Sequence, residues 1–341
     1  MDIEITKFPV KITRSRPSVS NEVYRKYIAS ILKQSTNIDH TNIDRWTSER
    51  FASDWEKSRT HPSASIENSY ETTEFYGDKL ANSIASLYIK QTYPEIINTE
   101  WLTKIQNYMH SRRGFMQVSY YMELYKYVIT SDEGWEQITM VPPRYEKYGG
   151  GAVWHNPNWK KMLTDLFEAF IGNLFNVVHK DQGFVGVAYE VIHQVGPYYF
   201  QYIKLKLDIL FLVDPVTLLK ESMDMKRTSL GIPVQSLIPL YKFTKHMTQE
   251  TIQRMSQSGI EYTEFRYVLT FPDPKYEIQD SKKTDLKYMQ LIKVVVGDWF
   301  PDDQSAKLDA AVHGLRVWKE WNYPTKQKLN FDQKNSWKPD K

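Results

Sequence analysis

Three carboxylates lie at helical spacing in the segment SYETTEFYGDKLANSIASLYI, residues 69–89. Glu71, Glu74 and Asp78 occur at i, i+3 and i+7, which places them on one face of an α-helix. Apolar residues surround them (Phe75, Tyr76, Leu80, Ile84 and Leu87), and such a stripe normally faces a core. Like charges on one helix face repel each other. The segment is therefore either a solvated acidic face or a site that holds divalent metal ions.

A second acidic pair follows in KKMLTDLFEAFIGNLF, residues 160–175. Asp165 and Glu168 are three residues apart on a strongly apolar predicted helix. If this helix packs against the first, the carboxylates of both converge, and without cations some of them must protonate. Mg²⁺ prefers oxygen ligands, and two such ions stabilise the attacking and leaving oxygens of an in-line phosphoryl displacement. Spacing alone does not decide for metal, because acids three residues apart are common in helices.

Composition excludes several classes of protein. The chain has 341 residues, of which 41% are hydrophobic and 14% aromatic, so it is not largely disordered. It has no cysteine, which excludes disulfides, a thiolate zinc site and a cysteine nucleophile. The net charge is +3, from 44 basic and 41 acidic side chains, which permits a nucleic-acid partner without requiring one.

No segment is typical of membrane insertion or secretion. The first residues lack the apolar region of a secretory signal, and no run reaches the roughly 20 apolar residues of a membrane span. We expect a soluble, intracellular and cytoplasmic protein without a membrane partner, with an organelle as the alternative.

The periodicity predicts four regions: an N-terminal extension at 1–45, an all-helical domain at 46–213, a small α+β domain at 214–321 and a polar, lysine-containing tail at 322–341. The fold class is mainly α. In the α+β domain we predict an α-β-β-α order, with helices at 214–223 and around 234–247, strands at 262–271 and 288–299, and a last helix at 304–321.

The sequence segments that contain these acids resemble the motifs of a known protein family. The signature of the ribonuclease III family is similar to residues 60–80, THPSASIENSYETTEFYGDKL. The second motif of that family is similar to residues 164–175, TDLFEAFIGNLF. KDQGFVGVAYEVI, residues 180–192, follows in the family's order, and the resemblance covers about residues 46–205. It implies an all-helical, Mg²⁺-dependent endoribonuclease, with Mn²⁺ as a substitute, that cleaves double-stranded RNA to 5′-phosphate and 3′-hydroxyl ends with short 3′ overhangs.

The resemblance also assigns roles to residues. It implies that Glu71 is an additional acid at the mouth of the site and that Lys161 contacts RNA. Phe75 and Gly77 match the helix through which two such domains pair, as a homodimer or with a related subunit. The metal-binding carboxylates that it implies are Glu74, Asp78, Asp165 and Glu168.

Some residues depart from the family pattern. Thr72 and Thr73 replace an arginine and a leucine, and Lys79 replaces a small residue directly after the last acid of the first motif. Lys79 either approaches the metal cluster and competes with Mg²⁺ or extends into solvent. Because all five acids are retained, we favour an active nuclease. The alternative is a catalytically silent protein of the same fold that binds RNA or serves as a structural subunit.

The C-terminal domain resembles a divergent double-stranded RNA-binding domain. DPVTLLKE, residues 214–221, is similar to the opening of that domain's first helix. At the last helix, Asp302 and Asp303 replace lysines that grip phosphate, and Lys307 remains. The lysines that we expect to contact RNA in this domain are Lys275, Lys282, Lys283 and Lys307.

Overall fold

The computed structural model describes residues 16–94, 96, 99–140, 156–203, 214–229, 242–252, 260–272, 292–300 and 302–323. The chain divides into two compact units, residues 2–207 and 208–341. Lys275, Lys282 and Lys283 lie outside the described residues, as does the tail from 324 onward. The described chain is mainly helical, as predicted.

In the part of the first unit that the structure describes, the regular elements are helices. Its described α-helices are α1 (Asn21–Ser35), α2 (His40–Trp46), α3 (Ala52–Lys57), α4 (Glu71–Thr92), α5 (Thr99–His110), α6 (Arg112–Tyr121), α7 (Asp132–Thr139), α8 (Pro157–Gln182) and α9 (Val185–Phe200). Two short 3₁₀ turns, Glu49–Phe51 and Leu124–Lys126, separate some of them. Helix α1 and all of α2 except Trp46 fall within the predicted N-terminal extension, and α1 buries Tyr24, Ile28 and Leu32 in this unit.

Helix α8 is the central element of the first unit, and it contacts α4, α6 and α9. It is apolar on nearly all sides, and a helix of that composition is stable only when other elements surround it. The Asn156 side chain caps its start by accepting from the backbone N–H of Asn158 at 2.8 Å, and Pro157 occupies the first turn. Gly183 ends it in the left-handed conformation, with φ +65°.

The described residues of the second unit form a three-stranded sheet and two helices. Its elements are α10 (Pro215–Ser229), β1 (Lys242–Ile252), β2 (Ile260–Pro272), β3 (Ile292–Val296) and α11 (Asp303–Glu320). The strands are antiparallel in the order β1-β2-β3, with Leu269 opposite both Phe243 and Val295. Leu269 packs in one core with Leu219 of α10 and Trp318 of α11.

Strand β1 corrects the predicted helix around 234–247. Residues 242–247 are strand, and 234–241 lie outside the described residues, so the described elements follow the order α-β-β-β-α, with one more strand than predicted. Apolar residues in this stretch are compatible with either periodicity. The ladder to β2 satisfies the backbone of β1 and places Phe243 against the core, and these tertiary contacts outweigh local preference.

The two acids at the start of α11 have partners inside the second unit. The Asp302 side chain accepts from the backbone N–H of Ser305 at 2.7 Å and caps the helix. The Asp303 carboxylate lies 2.7 Å from the Lys245 ammonium and accepts from the Tyr267 hydroxyl at 2.9 Å, and the Lys245 bond lowers the pKa of Asp303. The Lys307 ammonium lies 5.3 Å from the ring centre of Phe243. Asp302 therefore caps α11, and Asp303 links its start to β1 and β2. The double-stranded RNA-binding domains that this unit resembles in sequence have lysines at these positions.

Candidate metal centre

Two glycines allow α4 and α8 to approach each other closely. A Cβ at Gly77 would lie 1.7 Å from the backbone oxygen of Glu168, and a Cβ at Gly172 would lie 2.1 Å from the backbone oxygen of Thr73. Any side chain at either position would therefore separate the helices. Gly77 is buried at this crossing.

The crossing brings together three of the predicted carboxylates. Glu74 of α4 and Asp165 and Glu168 of α8 each offer an oxygen, and these oxygens lie within 4.8 Å of one another. The Asp165 and Glu168 side chains are buried, with whole-residue exposures of 5% and 6%. Oxygen ligands of Mg²⁺ lie at about 2.1 Å from the ion, so two ligands span at most about 4.2 Å. A small inward movement of these side chains would therefore bring three carboxylate oxygens within reach of one ion, with waters as its remaining ligands.

Electrostatics within the cluster favour a cation. Burial, and then repulsion by Asp78, Asp165 and Glu74, raises the pKa of Glu168 to about 8. Burial also raises the pKa of Glu74 and of Asp165. A bound divalent ion would favour the ionised form of all of these groups. The donors present thus fit the hard cation that the sequence predicts.

Asp165 is held by two side chains on the same oxygen. The Lys161 ammonium lies 2.5 Å from its Oδ2, and the buried Tyr70 hydroxyl donates to Oδ2 at 3.4 Å. Tyr70 is not among the predicted site residues. The only sequence feature that indicates it is its position directly before Glu71 at the start of α4. Lys161, predicted to contact RNA, is half-exposed and contacts the cluster itself.

Asp78 lies beside the cluster but outside the group of three. Its Oδ2 is 2.6 Å from the Lys79 ammonium, and its Oδ1 accepts from the Asn82 amide at 3.2 Å. The sequence left two positions open for Lys79, near the acidic cluster or in solvent. Lys79 contacts Asp78 beside the cluster, and its side chain is also exposed to solvent.

The remaining predicted residues of α4 lie on its surface. Glu71 is exposed in the first turn. Phe75 and Tyr76 are 63% and 55% exposed, with ring centres 5.6 Å apart, and Leu87 is exposed as well. Ile84 is buried and Leu80 is half-buried. The predicted apolar stripe is therefore only partly a core face.

The raised pKa of Glu168 predicts a pH dependence of stability in the metal-free protein. In the unfolded chain this glutamate ionises near its ordinary pKa of 4.5, so ionisation opposes folding increasingly as the pH rises from about 4.5 to about 8. We expect Glu168→Gln to raise the free energy of unfolding by about 2 kcal/mol at pH 8 and to change it little at pH 5.

Urea unfolding in EDTA at both pH values measures this difference. The matched control is Glu190→Gln, which makes the same change at an exposed position of α9 and should be neutral at both. Equal stability of Glu168→Gln and wild type at pH 8 would show that the glutamate is not held in an unfavourable environment.

Comparison with known proteins gives one curated relative. The chain is 24% identical over 181 residues to a protein of Frog virus 3 (isolate Goorha) whose name assigns it provisionally as ribonuclease 3. The match covers 52% of this chain and 43% of that protein, so the chain matches less than half the length of this relative. No family model matches the sequence.

Among solved structures, the nuclease domain of ribonuclease III from Campylobacter jejuni aligns with 51% of this chain and 96% of its own. The identity is 17% and the TM-score is 0.33, which does not establish a shared fold. Within the described residues, no helix combines the length and apolar character needed to cross a bilayer.

Proposed function

We propose that the helical unit is a ribonuclease III domain and that the protein is a metal-dependent endoribonuclease that cleaves double-stranded RNA; the sequence similarity to the frog-virus protein supports this proposal. The observation that carries the proposal is the convergence of Glu74, Asp165 and Glu168 at the α4–α8 crossing. These are acids of both family motifs, distant in sequence, and the buried position of two of them favours a counter-ion.

Each acid has a role in this proposal. Glu74, Asp165 and Glu168 would hold Mg²⁺, or Mn²⁺ in its place, and Asp78 would be available for a second ion. When bound, such ions would supply positive charge to the scissile phosphate and to the water that attacks it in line. Lys161 and Tyr70 orient Asp165 by fixing its Oδ2. Glu71, at the exposed start of α4, is the additional acid at the mouth of the site in this proposal. Cleavage leaves 5′-phosphate and 3′-hydroxyl ends with short 3′ overhangs.

A partner domain is part of the proposal. The exposed rings of Phe75 and Tyr76 support pairing through α4, as a homodimer or with a related subunit. Large apolar side chains exposed together on one helix mark an interaction surface more often than isolated ones do.

The alternative is a silent protein that binds RNA or a sister subunit without cutting. The ion pair between Lys79 and Asp78 favours it, because this cation contacts one of the four family carboxylates. The internally paired acids at the start of α11 favour a second unit with a weakened grip on phosphate.

Cleavage of long, end-labelled double-stranded RNA by the full chain tests the proposal. We expect staggered products with Mg²⁺ or Mn²⁺ and none with EDTA. Single-stranded RNA and duplex DNA of the same sequence are the matched substrates and should remain intact. Binding of the duplex without cleavage in either metal would support the silent alternative.

A further inference from the structure

Asp78 has a partner on each of its two oxygens, unlike a ligand that is ready for metal. Oδ2 lies 2.6 Å from the Lys79 ammonium and Oδ1 accepts from Asn82 at 3.2 Å. In Asp165, by contrast, the Lys161 ammonium and the Tyr70 hydroxyl both contact Oδ2. A cation that binds Asp78 must therefore displace an ammonium or an amide first.

Lys79 is held near Asp78 by more than one attraction. Its ammonium lies 5.9 Å from the ring centre of Phe75, within the range of a weak cation–π contact. The side chain is 67% exposed against 32% for Asp78, so the pair is accessible to solvent and to ions. An accessible pair of this kind is weak, and a divalent ion at sufficient concentration displaces it.

We propose that Lys79 is a built-in competitor for metal at Asp78, so that the chain holds one cation at Glu74, Asp165 and Glu168 and admits a second only weakly. The inference rests on the proposed function and concerns the occupancy of the site. It makes Lys79 a positioning residue that sets the concentration of divalent ion at which the fourth carboxylate joins the other three.

Calorimetric titration of the full chain with Mn²⁺ at pH 7.5 tests this inference without RNA. We expect Lys79→Ser to strengthen binding of the weaker ion about fivefold, because a positive charge beside the ligand is removed. Lys79→Arg keeps the charge and should behave as wild type. Lys90→Ser removes a lysine from the exposed end of the same helix and should leave both affinities unchanged.

A double-mutant cycle with Asp78→Asn separates competition at Asp78 from a general charge effect. The gain from Lys79→Ser should disappear when Asp78 is already Asn. If the gain persists in the double variant, or if Lys79→Ser binds Mn²⁺ as wild type does, the inference is overturned.

Failure of the inference and failure of the proposed function give different titrations. If wild type binds Mn²⁺, Glu168→Gln abolishes that binding and Lys79→Ser leaves it unchanged, only the role of Lys79 is lost. If wild type binds no Mn²⁺ but Lys79→Ser does, competition by Lys79 is supported. If neither binds, both the inference and the metal-dependent function are overturned.

Discussion

Replacement of Glu168 with Gln is expected to lower the rate of double-stranded RNA cleavage more than about 100-fold. Glu168 is buried, and its pKa is raised to about 8 by this burial and by repulsion from Asp78, Asp165 and Glu74. Gln keeps the shape and removes the charge that a cation requires. Changes to the outer partners of metal ligands already cost 10–100-fold, so loss of a direct ligand should cost more.

Single-turnover cleavage of a labelled duplex, with saturating Mg²⁺, measures this effect. The Glu190→Gln control changes an exposed glutamate of α9 and should cleave as wild type does. Circular dichroism should show the same helical content in both variants, since the change at Glu168 removes an unfavourable charge and not a packing contact. Cleavage by Glu168→Gln at more than a tenth of the wild-type rate would place the reaction elsewhere in the chain.

Replacement of Gly77 with Ala is expected to lower the free energy of unfolding by about 3 kcal/mol and to weaken Mn²⁺ binding at least tenfold. The new Cβ would lie 1.7 Å from the backbone oxygen of Glu168, and a backbone atom of α8 has no rotamer by which to move away. The helices must separate, and overpacking of this kind costs 1–3 kcal/mol or more. Because Glu74 belongs to α4 and Glu168 to α8, their carboxylate oxygens would move apart when the helices separate.

Urea unfolding and Mn²⁺ calorimetry on the same preparations measure both effects. The matched control is Gly186→Ala in the first turn of α9, where the Cβ would meet only the movable ring of Phe184. Ala is a better helix former than Gly, so this control should be neutral or slightly stabilising. Wild-type stability and metal affinity in Gly77→Ala would mean that the close crossing does not hold the acids together.

Most of the helical unit was predictable from local patterns. The apolar periodicity predicted α8, and Asn156, Pro157 and Gly183 are the residue types that begin and end such a helix. Ser131, whose side chain caps α7 directly before Asp132 and Glu133, is likewise a residue type that begins a helix. Strand β1 was predicted as a helix because its apolar spacing does not identify its pairing partner, and only the ladder to β2 decides its conformation.

The positions of the acids, too, follow partly from the sequence and partly from the tertiary structure. Helical spacing placed Glu71, Glu74 and Asp78 on one face, and it did so correctly within one helix. Which of them meets Asp165 and Glu168 depends on where the two helices cross and at what distance, and Gly77 and Gly172 set that point. Glu71 is therefore exposed beyond the crossing, while Asp78 is near the cluster but paired with Lys79.

The sequence by itself determined the candidate ligands, since residue type and spacing follow from local chemistry and helix geometry. Only the tertiary structure decided that three of the acids converge, that Tyr70 and Lys161 contact Asp165, and that Gly77 lies at the helix crossing. The physical reason is that a helix fixes angles along one chain segment, whereas distances between segments depend on the packing of all their side chains.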